Sequence, residues 1–396
     1  MKALVIAPQP FFSPRGTPMS VYYRALVMAR KGVEIDLLTY GEGQDVNIPG
    51  VRIVRTPRFA FLGDVKIGPS LLKIFLDMFI MLRAIGLLIR HRYDFVHAHE
   101  EAAFMAIVLR PIFRFKFIYD MHSSLPEQIN NFGWSKSKFL RRLMTSAEDR
   151  TLQRADALIT ICPALADYAT SRIADTGKHF LIENSIFEPV NLTEKNESNG
   201  AAVDVSSVFD ELESSGATSI VVYAGTLETY QGIDLLLESM VFVKRENDSI
   251  RLIVIGGSSE QVTHYTAMAQ NLGVNDVCVL FSRVPQATAR TFAAKADVLV
   301  SPRTRGMNTP LKIYEQLDSG KPLVATRIPS HTQVLNEEVA FLADPQPGAF
   351  AEQIVLASGD VGLAAEKVRC ARKHYEESYS PTVYSEKIDR LLDLID

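Results

Sequence analysis

The sequence has little cysteine and no long uninterrupted apolar run. Its three cysteines, Cys162, Cys278 and Cys370, have spacings that match neither a metal-binding motif nor a disulfide framework. An odd number of cysteines suits a reducing cytoplasm. The apolar run within residues 1–8 is too short for a signal peptide and instead predicts a first strand. The expected location is therefore the cytoplasm.

A bias toward basic residues is also absent. The chain has 42 lysine and arginine residues against 46 aspartate and glutamate residues, which gives a net charge of −4. Proteins that bind nucleic acid normally carry a basic excess, so nucleic acid is not an expected partner. At 396 residues the chain is too long for a single hydrophobic core, and two domains are expected.

Short apolar runs alternate with helix-spaced apolar patterns along almost the whole chain. This alternation predicts the α/β class, with two doubly wound, Rossmann-like domains that face each other across a cleft. The first domain is predicted over 1–185, and the last helix, 381–396, is expected to cross back to it. A polar connection is predicted over 186–216, and the second domain over 217–380.

Two consecutive predicted strands of the first domain end in histidine and carboxylate residues. The strand over 94–98 ends in a stretch that contains His97, His99 and Glu100, and the next strand is followed by His122. Carboxyl ends of parallel strands line the ligand crevice, where a histidine can donate to or exchange protons with a sugar hydroxyl or a phosphate. A metal site is the weaker alternative, because His97 and His99 have no clear complement of further ligands.

A basic loop and a helix follow a buried strand in the second domain. The loop contains Arg303 and Arg305, and Thr309 and Pro310 are suited to the N-cap and first position of a helix that also carries Lys312. A helix N-terminus at the carboxyl end of a parallel strand binds anions, and the three cations favour a phosphate. The alternative is an ordinary turn with solvated charges. Two glycine-bounded junctions, 225–232 and 256–259, join this loop at the same predicted edge and indicate a nucleotide site.

Taken together, these segments resemble family 4 of the retaining glycosyltransferases, which have the GT-B fold. The resemblance covers nearly the whole chain and is strongest between Val221 and Pro345, where the matching segments follow in family order: 223–227, 231–236, 252–257, 296–298 and 314–326. The resemblance implies that Glu315 holds the ribose hydroxyls of a nucleotide, for which a carboxylate offers two planar acceptor oxygens. It also implies that the backbone of Gly16 faces the donor phosphate and that His122 lies near the donor sugar.

Three positions depart from the family pattern. Met307 occupies a position where the family usually has a glutamate that touches the donor sugar. Thr226 and Gln231 replace an arginine and a lysine that normally stabilise the leaving diphosphate, and one such contact is typically worth about 3 kcal/mol. We expect other cations to replace them, and Arg303 and Lys312 are the candidates, followed by Arg305.

The predicted site therefore has three parts and no metal. His122, Arg303 and Lys312 are the predicted catalytic residues. The expected acceptor side comprises Arg15, His99 and Glu100. Asn308 and Thr309 match a loop whose backbone amides meet the sugar and the diphosphate, and the full donor set is Gly16, Gly225, Thr226, Gln231, Gly257, Arg305, Met307, Asn308, Thr309 and Glu315.

The resemblance implies transfer of a sugar, with retention, from a nucleotide diphosphate sugar. We expect a UDP-sugar as the donor co-substrate, no cofactor, and a hydroxyl of a glycan or a lipid-linked molecule as the acceptor. A surface polysaccharide pathway would fit this chemistry. The alternative, suggested by Thr226 and Gln231, is a GT-B protein that binds a nucleotide or a glycan without transferring it.

Two segments suggest peripheral contact with the inner face of the cytoplasmic membrane. Residues 70–92 are mostly apolar, but Lys73, Asp77 and Arg83 interrupt them, so a spanning helix is not expected. This segment is either a helix packed on a sheet or an amphipathic helix that rests on lipid. Residues 132–144 combine aromatic and basic side chains, which is typical of a membrane surface segment and equally of a solvated helix.

Overall fold

The computed structural model describes residues 1–13, 16–59, 71–124, 138–184, 190 and 203–396. Arg15, residues 132–137 of the basic and aromatic segment, and most of the predicted connection lie outside these residues. The described residues form two compact units. One unit contains the residues up to 184 together with Pro381–Asp396, and the other contains residues 203–380.

The first unit is built on a parallel sheet of seven strands in the order β3-β2-β1-β4-β5-β6-β7. The order reverses between β1 and β4, and ligands bind at the carboxyl ends of strands at such a switch point. The strands are β1 Lys2–Ala7, β2 Glu34–Thr39, β3 Val51–Arg55, β4 Phe95–His99, β5 Lys116–Met121, β6 Ala157–Thr160 and β7 His179–Leu181.

The helices of this unit connect successive strands and pack on the sheet. They are α1 Gly16–Arg30, α2 Leu71–Arg90, α3 Ala102–Phe113, α4 Lys138–Arg154 and α5 Pro163–Thr170. One core contains Leu4 and Ile6 of β1, Leu76 and Ile80 of α2, and Ala106 of α3. The helices α2 and α3 therefore cover the same face of the sheet.

The last helix, Pro381–Ile395, belongs to the first unit. Its apolar side is buried at helical spacing, with Ile388 and Leu391 fully enclosed. Ion pairs from Lys31 to Asp389 and from Lys387 to Glu183, with N–O distances of 2.6 and 2.5 Å, attach its polar side to the same unit.

The second unit has a six-stranded parallel sheet in the order β10-β9-β8-β11-β12-β13, with its switch point between β8 and β11. The strands are β8 Ser219–Ala224, β9 Ile250–Ile255, β10 Cys278–Phe281, β11 Val298–Ser301, β12 Leu323–Thr326 and β13 Phe341–Ala343. The helices are α6 Val205–Ser214, α7 Ile233–Glu246, α8 Ser259–Leu272, α9 Gln286–Lys295, α10 Lys312–Asp318, α11 Pro329–Thr332, α12 Pro347–Gly359 and α13 Val361–Ser378. Two parallel-sheet α/β units confirm the predicted fold class.

Local sequence explains several of these boundaries. At the start of α8 the Ser258 hydroxyl accepts a hydrogen bond from the Gln261 N–H, and the Gln261 side chain accepts one from the Ser258 N–H. The same helix ends at Gly273, whose φ of +70° suits glycine. The helix α6 lies within the predicted connection, yet Phe209 and Leu212 are part of the second core.

Candidate active site

Three loops are packed tightly together at the carboxyl edge of the second sheet. A Cβ atom on Gly256 would lie 1.7 Å from the Gly225 oxygen, and a Cβ on Gly232 would lie 2.0 Å from the Pro302 oxygen. Both Gly232 and Gly256 have positive φ angles, so glycine is required for conformation as well as for space. The structure thus brings together the junctions 225–232 and 256–259 and the 302–311 loop, which the sequence predicts as a third junction over 303–312.

The ammonium group of Lys312 is buried inside this edge. Among the described residues its Nζ has no hydrogen-bond partner, and it lies 3.9 Å from the centre of the Tyr223 ring. The same atom is 3.5 Å from the position of a Cβ on Gly225. Burial, and then the charge of Arg303, lower the pKa of Lys312 to about 7. A buried cation without a counter-charge is costly, so this position favours an anionic ligand.

Arg303 shapes the loop that precedes Lys312. Its Nε donates to the Arg305 oxygen at 2.7 Å and its Nη1 to the Asn308 oxygen at 3.1 Å. The guanidinium also lies 5.2 Å from the centre of the Tyr230 ring and fills the space beside Gly306. Burial lowers the pKa of Arg303. This arginine therefore orders the loop as well as placing positive charge beside Lys312.

The predicted helix start at Thr309 and Pro310 is wrong, because α10 begins at Lys312. The Ile313 N–H donates to the Pro310 oxygen three residues earlier, so Pro310 and Leu311 form a tight turn before the helix. Thr309 caps nothing, and its Oγ1 is buried without a partner among the described residues. At this edge of the sheet, the loop and the Lys312 side chain therefore take the place of the expected helix N-terminus.

Thr226 and Gln231 are neutral, and they occupy the two positions where the resemblance implies cations. The Gln231 amide lies 3.4 Å from the Thr226 hydroxyl, to which its Nε2 donates. The Tyr223 hydroxyl donates to the Thr226 oxygen at 2.7 Å. Lys312 lies over the ring of the same tyrosine, so Tyr223 contacts both Thr226 and the buried ammonium.

Glu315 is held by an arginine that the sequence did not reveal. Arg290 of α9 donates to the Glu315 carboxylate at 2.6 Å, and about a third of each side chain is exposed, 35% and 33%. No local pattern on α9 distinguishes Arg290 from the solvated cations of other helices. On the loop that precedes α10, Arg305 and Met307 are exposed and Asn308 is half-buried. The Met307 carbonyl accepts a hydrogen bond from the Gln333 amide at 2.8 Å.

His331 supports the 302–311 loop through hydrogen bonds, and the sequence did not reveal this residue either. Its Nδ1 donates to the Thr326 oxygen at 2.9 Å, and its Nε2 accepts from the Ser301 hydroxyl at 3.0 Å. The Thr326 hydroxyl in turn donates to the Arg303 oxygen. Burial, helped by the charges of Lys312 and Arg303, lowers the pKa of His331 to about 4. A neutral His331 therefore fixes the ends of β11 and β12. The signal that could have found it is its place in the segment that follows the apolar run of β12.

A buried carboxylate organises the histidines of the first unit. Asp120, at the end of β5, has its Oδ2 atom 2.9 Å from His97 Nε2, 3.4 Å from His99 Nδ1 and 3.1 Å from Arg24 Nε. Its Oδ1 atom is 3.3 Å from His122 Nε2. Neither Asp120 nor Arg24 was among the predicted site residues.

The histidines form a chain of contacts around this carboxylate. His99 Nδ1 lies 3.1 Å from His122 Nε2, so one of them donates to the other. Burial lowers the pKa of His97 and lowers that of His99 much further. Although burial opposes its ionisation, Arg24 and the histidines hold the pKa of Asp120 well below its usual range. The predicted proximity of the two strand ends is thus realised, with the neutral imidazoles of His97 and His99 next to a charged carboxylate.

This cluster has ligand types that a zinc ion takes. One ligand atom each from His97, His99 and Asp120 lies within 4.8 Å of the others. Arg24, however, already places positive charge 3.1 Å from the carboxylate oxygen that both histidines share. A metal-bound histidine also normally donates its second N–H, whereas His97 Nδ1 and His99 Nε2 have no partner within the described ranges. The donor set therefore fits a guanidinium-neutralised network better than a metal centre.

Two further predicted residues occupy the same edge of the first unit. Gly16 is the first residue of α1 and is exposed, and a Cβ on it would meet no heavy atom of the described residues within 4 Å. Glu100 follows β4 with a φ of +50°, and burial together with Glu101 raises its pKa. A non-glycine residue in this conformation is strained, which is common at functional sites.

The chain is similar to known glycosyltransferases in both of its halves. A family model described as glycosyl transferase 4-like domain matches residues 19–185, and one described as glycosyl transferases group 1 matches residues 206–374. A putative glycosyltransferase, YtcC, from Bacillus subtilis (strain 168) is 26% identical over 180 residues, which cover 43% of this chain and 44% of that protein. The D-inositol 3-phosphate glycosyltransferase of Segniliparus rotundus is 28% identical over 121 residues, which cover 30% of this chain and 27% of that enzyme. The chain thus spans less than half the length of these relatives.

Solved structures match the fold over the full chain. Sucrose-phosphate synthase from Thermosynechococcus elongatus has a TM-score of 0.73 at 16% identity and covers 99% of this chain and 98% of its own. HepE from Anabaena, in complex with UDP and glucose, has a TM-score of 0.70 at 15% identity and covers 99% of both chains. Such identities establish the fold alone. The chain therefore has the GT-B fold, and its two halves match the glycosyl transferase 4-like and the glycosyl transferases group 1 family models.

Proposed function

We propose that this protein transfers a sugar, with retention, from a UDP-sugar to a hydroxyl of a glycan or lipid-linked acceptor. The second unit would bind the donor and the first unit the acceptor. Support for the donor comes from HepE, whose structures were solved with UDP and with UDP-glucose. The observation that carries the proposal is the buried ammonium of Lys312 beside Gly225, which has no hydrogen-bond partner in the described part of the chain.

The Lys312 ammonium fits the place where negative charge would develop during transfer. The leaving diphosphate would lie at the junction of Gly225, Gly257 and the 302–311 loop. Lys312 and Arg303 would supply the positive charge that Thr226 and Gln231 do not. Because this charge is fixed before the reaction, it would stabilise the leaving group without reorganisation.

The proposed roles of the remaining residues follow from the chemistry of their side chains. Glu315, oriented by Arg290, would accept hydrogen bonds from the ribose hydroxyls. His99 and His122 would orient the acceptor hydroxyl and the donor sugar. In front-face substitution the leaving diphosphate itself takes the acceptor proton, so the route requires neither a covalent nucleophile nor a metal ion.

Binding without transfer is the second candidate. The neutral Thr226 and Gln231 pair favours it, because the site then has fewer cations than its relatives are expected to use. Under this alternative the second unit still binds a nucleotide. The two candidates differ in what a substitution at Lys312 does to turnover.

The first experiment is thermal stabilisation by a panel of nucleotides and nucleotide sugars, with and without EDTA. We expect a shift with UDP species that EDTA does not change. Stabilisation by none of the panel would contradict the donor site. A shift that EDTA abolishes would contradict the metal-free route.

The second experiment measures release of UDP from the donor found in the panel. Lys312→Ala should lower kcat by about 100- to 1000-fold, the usual cost of one such contact. Lys312→Arg should retain part of the rate, and Lys373→Ala, at an exposed lysine, serves as the matched control. A Lys312→Ala enzyme with normal turnover would remove Lys312 from the mechanism. Binding of UDP with no turnover in the unmodified protein would favour the second candidate.

A further inference from the structure

The outward sides of α2 and α3 expose large apolar side chains. Six of these side chains are between 51% and 71% exposed: Ile74, Met78, Leu82 and Ile89 on α2, and Val108 and Ile112 on α3. We call these six the apolar face. Because both helices cover the same face of the sheet, their outward sides point in the same direction.

The spacing of the exposed apolar residues places them on one side of α2. Ile74, Met78 and Leu82 are four residues apart, so they are stacked along the helix. The opposite side, with Leu76 and Ile80, is fully buried in the core. A helix that is apolar on both sides needs a second apolar environment in addition to the core.

The charges around the apolar face have one sign. Arg83 and Arg90 are exposed on α2, and Arg92 follows that helix. Of all residues in α2 and α3, only Asp77 is acidic, and it accepts a hydrogen bond from the buried Tyr40 hydroxyl at 2.6 Å. The outward side of the two helices therefore carries cations without acidic residues.

A basic hollow continues this pattern at the end of α3. It has a volume of about 510 Å³, and its lining includes Arg110, Arg114, Lys116 and Arg154. The one acid in its lining, Asp94, accepts a hydrogen bond from the Lys2 N–H at 2.6 Å. Arg110 is paired with Asp156 at 2.7 Å, and Arg114, which caps the end of α3, follows Ile112 closely in sequence.

We propose that the apolar face is a docking surface for an anionic lipid bilayer. Apolar side chains on one side of a helix enter the boundary between headgroups and acyl chains, and flanking arginines attract anionic lipid. The exposed charges beside the apolar face are cations, which complement the negative surface of an anionic bilayer. No described helix is long and apolar enough to cross a membrane, and the proposed contact is with the surface. This proposal goes beyond the proposed transfer reaction and does not depend on it.

Sedimentation with vesicles tests the proposal on the full chain. We expect binding to phosphatidylcholine vesicles that contain phosphatidylglycerol at low salt, and at least tenfold weaker binding to phosphatidylcholine alone. Leu82→Ser combined with Ile112→Ser should weaken binding to the anionic vesicles at least tenfold. Arg83→Gln combined with Arg90→Gln should weaken binding mainly at low salt, where surface charges are least screened.

The control is Val361→Ser, which changes an equally exposed apolar residue of the second unit, 78% exposed. It should bind vesicles like the unmodified protein. An unchanged melting temperature would show that each variant is folded.

Absence of binding to anionic vesicles at low salt, or equal binding by the Leu82 and Ile112 variant, would overturn the proposal. So would light scattering that shows a dimer which the same variant dissociates, because the face would then bind a second copy.

Discussion

At the scale of single residues, Lys312 links the local structure to the proposed chemistry. Its pKa of about 7 means that a substantial part of the free protein carries a neutral amine near neutral pH. A bound diphosphate would stabilise the charged form and raise this pKa. Binding of the nucleotide and uptake of a proton should therefore be coupled.

We expect the affinity for UDP to fall as the pH rises from about 7 to about 9, because neutral Lys312 must gain a proton to pair with the diphosphate. Lys312→Arg remains charged over this range and should bind UDP with little dependence on pH. Calorimetric titration in buffers of different ionisation enthalpy would measure a fractional proton uptake per UDP. The same pH dependence in both proteins would contradict the assignment.

The lowered pKa of Lys312 also makes the stability of the free protein depend on pH. Whereas the affinity for UDP should fall as the pH rises, this contribution to stability should increase. Because the pKa is lowered from 10.5 to about 7, the unfolded chain binds more protons than the folded chain between these values. The contribution of Lys312 to the free energy of unfolding therefore rises with pH across this window. Lys312→Met should remove this part of the pH dependence in chemical denaturation.

Asp120 is the residue on which the buried cluster of the first unit depends. Asp120→Asn would leave Arg24 buried without a counter-charge, and loss of one partner of such a pair costs about 3–5 kcal/mol of stability. Arg24→Met in addition to Asp120→Asn should recover part of this loss. Urea denaturation of the two single variants and the double variant measures the coupling, and additive effects would show that the two residues do not interact.

At the scale of elements, the two kinds of glycine in the candidate site behave differently. Gly232 is enclosed by Pro302 and has a φ of +75°, whereas the space beside Gly16 is open. The first glycine is thus required by the fold itself. The second is required only if a ligand approaches its backbone, as the resemblance implies.

Gly232→Ala should therefore destabilise the protein by about 1–3 kcal/mol, because the 302–304 backbone must move. Gly16→Ala should change stability by less than about 1 kcal/mol but should weaken binding of the donor or reduce turnover. Denaturation curves and UDP release measure the two effects separately. A Gly16→Ala protein with unchanged affinity and turnover would contradict the role expected of Gly16.

The predicted elements differ from the observed ones where the local signal is weak. The sequence marks both ends of the helix Ile233–Glu246 and of the strand Ile250–Ile255, since apolar periodicity and flanking turn residues are clear there. The strand Phe341–Ala343 was not predicted, because three residues cannot display a period of two. The helix α10 begins at Lys312, later than predicted, because Pro310 and Leu311 form a tight turn before it.

At the scale of the whole molecule, the chain returns to its first unit through the last helix. Five apolar side chains of this helix, Tyr384, Ile388, Leu391, Leu392 and Ile395, are buried. Their burial contributes at most on the order of 10 kcal/mol, which is comparable to the total stability of a domain.

Truncation after Ser380 should therefore unfold the first unit. The second unit contains its own core and the proposed donor loops, so stabilisation by UDP should persist in the truncated chain. Limited proteolysis with mass spectrometry would show protection of residues 203–380 and digestion of the first unit. Equal protection of both units would show that the last helix contributes little.

The sequence by itself determined the α/β class, the glycine-bounded junctions and the two strand ends with histidines. These features depend on short-range periodicity and on turn residues, both of which can be read within a few positions. Their assembly at the sheet edges follows from parallel topology, since the carboxyl ends of the strands share one edge.

Only the tertiary structure decided which side chains pair within each site. Arg24 lies far from Asp120 in the sequence, and Arg290 and His331 reach Glu315 and Ser301 from other elements. It also determined that Lys312 is buried with no counter-charge from the residues that the structure describes, and that one side of α2 is exposed. The physical reason is that pairing, burial and pKa depend on surroundings contributed by distant segments, which no local pattern in the chain contains.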